Sequence, residues 1–210
     1  MSPATLVPRH PPGRGGRFWL QRRLVTARRG AELLDLKLRL LRREEERFAA
    51  LAQRTGASWE ERCTEAERWL LRAAVVGGQR GLRPDRRGEV ATVDISWASV
   101  MGVRYPAAAT CRVPTEPPDV PVSATAAVPL AAAAYRAALA AGVSHAAAQA
   151  AARVVAAQVV TTRGRLRAIE DRWVPGLKAA LHVLEVGLDE LESAESVRLR
   201  WAAGRQGRLR

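Results

Sequence analysis

Few residues in this sequence are spaced for chemistry. Gly77-Gly78-Gln79-Arg80-Gly81 is rich enough in glycine to cradle a phosphate, but it lacks the Lys-Ser/Thr pair that would hold phosphate and metal. The three histidines, His10, His145 and His182, stand singly, without the spacing of zinc ligands. Cys63 and Cys111 lie in different segments and form no CxxC, so reduced thiols are expected. Carboxylates gather at Glu44-Glu45-Glu46 and Asp189-Glu190. Acid–base catalysis uses such pairs, but both groups fall in charged helical stretches, where a solvated face is the plainer reading. No serine sits in a nucleophile elbow. The expectation is a chain with no catalytic residue, no cofactor and no metal.

Charge then becomes the main surface signal. The chain has 210 residues, 34 Lys and Arg against 21 Asp and Glu, and a net charge of +13. Such a balance suits a polyanion, an anionic membrane or an acidic protein partner. A bilayer needs about 20 apolar residues. The longest uncharged run, Ala137–Ala152, is shorter, so no membrane span is expected.

Residues 1–17 are rich in Pro, Gly and Arg and are expected to be a disordered basic terminus. From Phe18 the pattern changes. Leu20, Leu24, Ala27, Ala31, Leu34, Leu38, Leu41, Phe48 and Ala52 recur at steps of four and three, with only Glu45 out of series. That is a heptad seam. It predicts an N-terminal helix over 18–76, with Thr55-Gly56-Ala57 as a candidate interruption and Ser58-Trp59-Glu60-Glu61 as a candidate capping box. Residues 77–128 carry more Pro, Gly, Thr and Val. Val93, Ile95 and Trp97 alternate as a strand does, and Val100, Val103 and Tyr105 supply a partner strand before Pro106. A proline-rich loop follows.

Helix resumes near Pro129 and runs to about Ala203, with Gly142 and Ser144 as a candidate cap-to-cap junction. At 1.5 Å per residue the part after that junction alone would be about 90 Å long, so it needs a partner along its length, and the N-terminal helix is the natural one. Pro175 interrupts it, at a cost inside a helix of roughly 3 kcal/mol. Leu166, Ile169 and Trp173 form the apolar stripe before it, and Leu177, Leu181, Leu184, Leu188 and Leu191 the stripe after it. The extra steps of four are a stutter. Pro175 therefore reads as a kink in a continuing helix. Residues 204–210 are expected to be a disordered tail. The fold class is mainly α, a long antiparallel two-helix coiled coil with a small β-hairpin head in the middle of the chain.

Three segments, in order, resemble the D subunit of the A/V-type rotary ATPases, the central rotor shaft. The first carries Arg29-Gly30, Leu33-Leu34 and Lys37. The second is Ser99-Val100-Met101-Gly102-Val103-Arg104-Tyr105-Pro106. The third has Ala168-Ile169-Glu170 and then Val174-Pro175, with Arg167 where the family has asparagine. The resemblance implies a non-catalytic rotor. It would stand inside a hexamer of A and B subunits and couple ATP synthesis or hydrolysis to ion (proton) transport. Its further partners would be the F subunit and the socket subunit joining the membrane ring, with no nucleic acid and no span of its own. The place implied is cytoplasmic, peripheral on the inner face of the plasma membrane. Arg28, Arg29, Arg163, Arg165 and Arg167 are expected to slide past acidic loops of the hexamer. Gly30, Lys37, Met101, Gly102, Val103, Glu170 and Pro175 complete the expected contact residues. The rival readings are a basic coiled-coil scaffold and a nucleic-acid-binding coiled coil, the second weakened by scarce aromatics and the lack of a reading motif.

Overall fold

A computed structural model describes residues 10–81, 90–114 and 125–206. The order is helix α1 (Gly13–Gly81), strands β1 (Thr92–Val100) and β2 (Val103–Arg112), helix α2 (Ala127–Ala168), a π turn (Ile169–Trp173) and helix α3 (Val174–Gln206). Expectations for residues 1–9, 82–89, 115–124 and 207–210 lie outside the described residues. The fold is mainly helical, two long helical runs packed on each other with one antiparallel hairpin between them in sequence. The chain divides into two units, residues 1–38 with 161–210, and residues 39–160.

α1 begins at Gly13, so its first five residues fall within the stretch expected to be disordered. It contains no proline, since the flanking ones are Pro12 and Pro84. The expected interruption at 55–57 and the cap at Ser58 do not occur. Thr55 instead donates its hydroxyl back to the Leu51 and Ala52 carbonyls, at 2.9 and 3.1 Å, which satisfies it inside the helix. Gly56 is there for room: a Cβ would lie 3.1 Å from the His145 ring. The helical geometry fails only at Gly78, with φ 61° and ψ 176°, close to the stop expected before Gly77-Gly78.

In the first unit the seam is built from large side chains. Leu20, Leu24 and Ala27 of α1 bury against Leu177 and Ala180 of α3, flanked by Trp19, Ile169 and Trp173. Arg17 pairs with Glu185 at 3.1 Å and Arg14 with Glu192 at 2.8 Å, an antiparallel match. Both pairs are exposed, so each contributes about 0–1 kcal/mol. The helix continues through Pro175, as its position inside the stutter suggested, but the defect is a π turn. The Val174 N–H donates to the Ile169 carbonyl, five residues back. The wide turn ends just before the proline. Pro175 then stands second in α3, directly after the π turn, and the two together mark the irregular point of a continuing helix.

In the second unit the helix α2 presents small residues. Ala131, Ala138, Ala147, Ala148, Ala151, Val155 and Val159 are buried, as are Leu41, Phe48, Ala66 and Ala73 of α1. Gly142 and Ser144 do not divide the helix. A Cβ on Gly142 would lie 2.9 Å from Trp59 Nε1, so this glycine also serves packing. The Trp59 and His145 rings stack at 5.6 Å, and His145 Nδ1 lies 3.1 Å from the Ala52 carbonyl, a bond that ties α1 to α2.

The hairpin is tighter and longer than expected. Val100 closes β1 opposite Val103, leaving Met101 and Gly102 as a two-residue turn. Both have positive φ, 50° and 79°, the type I′ pattern. β2 runs on through Pro106 to Arg112. Pro106 is tolerated because Ala107 bulges out of register beside it. Tyr105 meets the Phe48 ring edge-on at 4.7 Å and seats the hairpin on α1.

The run Ala127–Ala203 includes an 18-residue window of mean hydropathy 1.3, long and apolar enough to cross a bilayer by length and composition. Only 11% of that window is buried among the described residues.

Candidate partner-binding surface

The expected contact residues fall into two groups. Arg28, Arg29, Gly30, Lys37, Arg163, Arg165, Arg167, Glu170 and Pro175 all lie in the first unit, while Met101, Gly102 and Val103 form the hairpin end of the second.

In the first unit the five arginines are exposed and flank seam residues. Arg28 and Arg29 follow buried Ala27, Arg163 follows buried Thr162, and Arg165 and Arg167 bracket buried Leu166. At 100° per residue, Arg163 and Arg167 share one face and Arg165 points to the other flank. None of the five forms an ion pair among the described residues. The result is a collar of free guanidinium groups around the two-helix seam. Guanidinium is weakly hydrated and presents five donors in a rigid fork, so such a collar can exchange carboxylate partners at low cost.

The collar is not uniformly positive. Arg28 lines a groove of about 430 Å³ with Ala31, Glu32, Asp35, Glu170 and Val174. Glu170 therefore belongs to an acidic strip at the π turn, beside Asp171. Lys37 is half-buried and Pro175 exposed. Gly30 and Gly164 stand inside helices, yet a Cβ on either would meet nothing within 4 Å. A helix-interior glycine costs about 1 kcal/mol relative to alanine. Nothing among the described residues explains that cost at these two positions, and both flank the arginine collar. The sequence reading also passed over Arg23, whose guanidinium lies 5.0 Å from the Trp19 ring and 5.9 Å from the Trp173 ring. The i,i+4 spacing of Trp19 and Arg23 was a readable signal for the first contact.

At the hairpin, Met101 and Gly102 are exposed at the turn, whereas Val103 is buried. Val103 is thus a packing residue and not a free contact. No group of three or more His, Cys, Asp or Glu side chains could hold a metal ion among the described residues.

A sequence model of the ATP synthase D-subunit family matches residues 19–204. That span covers α1 from its second turn, both strands, α2, the π turn and nearly all of α3. No curated protein matches the chain.

Proposed function

The chain belongs to the ATP synthase D-subunit family, and on that premise we propose that it is the non-catalytic central-stalk rotor of an A/V-type ATPase. Membership makes it a component of a rotary ATPase, a membrane-associated complex. In our reading the two-helix seam stands within the hexamer of A and B subunits and turns there. Its rotation couples ATP synthesis or hydrolysis to ion transport through the membrane ring. The F subunit and the socket subunit bind beside and below the head. The whole sits on the cytoplasmic face of the membrane.

The observation that carries this reading is the arginine collar around an apolar seam. A rotor must not slip internally. A seam with Leu20, Leu24 and Leu177 fully or nearly fully buried resists slippage between its strands. A rotor must also turn within its bearing. Exposed guanidinium groups make surface ion pairs worth about 0–1 kcal/mol each, weak enough to be broken and remade. Gly30 and Gly164 leave room for bearing loops to approach the backbone closely.

Affinity purification of the chain from its own cells, after nuclease treatment, tests the reading. Recovery of the A and B subunits with a small F-like protein is expected. Recovery of nucleic acid without those subunits would overturn it.

A further inference from the structure

The hairpin has two edges, and they are defended differently. β2 carries Pro106 and the Ala107 bulge, and its Val103 and Pro106 are buried. Proline and bulges are the usual means of closing an edge to further strands. β1, Thr92–Val100, has neither. Its only charged residue is Asp94, which is paired with Arg112 at 2.8 Å. Its Val93, Ile95 and Trp97 are 48%, 49% and 52% exposed. These three share one face, opposite the small partners Cys111, Ala109 and Pro106.

The backbone adds a second fact. Val100 and Val103 close a two-residue turn, so they are a hydrogen-bonded pair. Alternation along β1 then makes Ala98, Ser96, Asp94 and Thr92 the residues that bond to β2. Ser99, Trp97, Ile95 and Val93 turn their N–H and C=O outward. Pro106, which has no N–H, lies opposite Trp97, as that alternation requires. The bulged residue is on β2, so β1 keeps its phase. The same three residues therefore present both an apolar ridge and a row of outward backbone groups. Among the described residues no strand pairs with that edge.

We infer that β1 is a docking edge for an extended strand of another subunit of the complex, adding a third strand to the hairpin. This rests on the subunit reading above. Charge selects the occupant. Arg104 lies 4.7 Å over the Trp97 ring at the end of the ridge and has no carboxylate partner among the described residues. A strand with apolar residues facing Val93, Ile95 and Trp97 and an acid reaching Arg104 fits. A second copy of a +13 chain is opposed by its own charge. Backbone bonds then supply affinity and the ridge supplies selectivity.

Amide hydrogen exchange on the free chain and on the purified complex tests this. The Val93, Ile95 and Trp97 amides should exchange fast in the free chain and at least tenfold more slowly in the complex. The Ser96 and Ala98 amides should be protected in both. Ile95→Lys, at an exposed position, should leave the free chain's melting temperature within a degree or two and abolish the protection gained on assembly. Unchanged exchange of the three edge amides in a complex that contains the chain would overturn the inference and leave the subunit reading intact. Absence of the chain from the complex would overturn both. Edge protection in the free chain, rising with concentration alongside a dimer mass, would assign the edge to a second copy and overturn it too.

Discussion

The two units join helices in different ways. In residues 1–38 with 161–210 the seam is leucine against leucine, with Trp19 and Trp173 at its margin. In residues 39–160 the α2 side is mostly alanine, and the larger side chains come from α1. A leucine seam holds through buried area, about 25 cal/mol per Å². An alanine seam buries less per residue and holds by close approach, which requires the small side chain to stay small. Gly56 under the His145 ring and Gly142 under Trp59 are the extreme of that logic. The difference also explains where irregularity is tolerated. The π turn and Pro175 occur in the leucine unit, where long side chains can bridge a change of phase. The alanine unit has no such defect among its described helix residues apart from Gly78, near the end of α1.

This contrast predicts opposite responses to substitution. Leu177, 1% exposed, lies at the centre of the leucine cluster. Leu177→Ala should cost about 2–5 kcal/mol, the range for buried leucine truncation, read by urea denaturation. A loss under 1 kcal/mol would mean that the seam is not packed as described. In the alanine unit, enlargement should be the damaging change. Gly142→Val should cost about 1–3 kcal/mol through overpacking against Trp59. If it stabilised the chain instead, the close approach of α1 and α2 there would be wrong. His145→Ala removes the bond to the Ala52 carbonyl and the stack on Trp59. A loss of about 1–2 kcal/mol is expected, with no change at equivalent exposed positions such as Ser144. Gly30→Ala should behave in the reverse sense. With no neighbour within 4 Å of the new methyl group, it should stabilise the isolated chain by about 0.5–1 kcal/mol while weakening its incorporation into the hexamer. Smallest in stability is the pair Arg163→Glu with Arg167→Glu, expected within about 0.5 kcal/mol per site. Its effect should appear as a loss of coupling between ATP turnover and ion movement.

The heptad pattern made the seam legible because buried apolar residues recur at a period that few other structures share. Leu20, Leu24, Ala27, Ala31, Leu38, Leu41 and Phe48 are all buried where the spacing put them. The hairpin was legible in its first strand and not in its second. Pro106 looked like a stop, and only the neighbouring bulge shows how a strand passes it. Glycine was the recurrent source of error. Gly56 and Gly142 resemble helix breaks in one dimension. Their purpose depends on rings some 90 residues away, in Trp59 and His145. The arginine collar was legible as a list of residues. That Glu170 belongs with Glu32 and Asp35 in an acidic groove was not, because it depends on the pairing of α1 with the π turn.

The most direct measurement attaches a bead to Met101→Cys at the exposed hairpin turn, in a cysteine-free background made by Cys63→Ser and Cys111→Ser. The A/B hexamer is immobilised and ATP is added. The account predicts sustained rotation of the bead in one direction that stops when ATP is exhausted. A bead that stays bound and stationary while the immobilised complex hydrolyses ATP would contradict it.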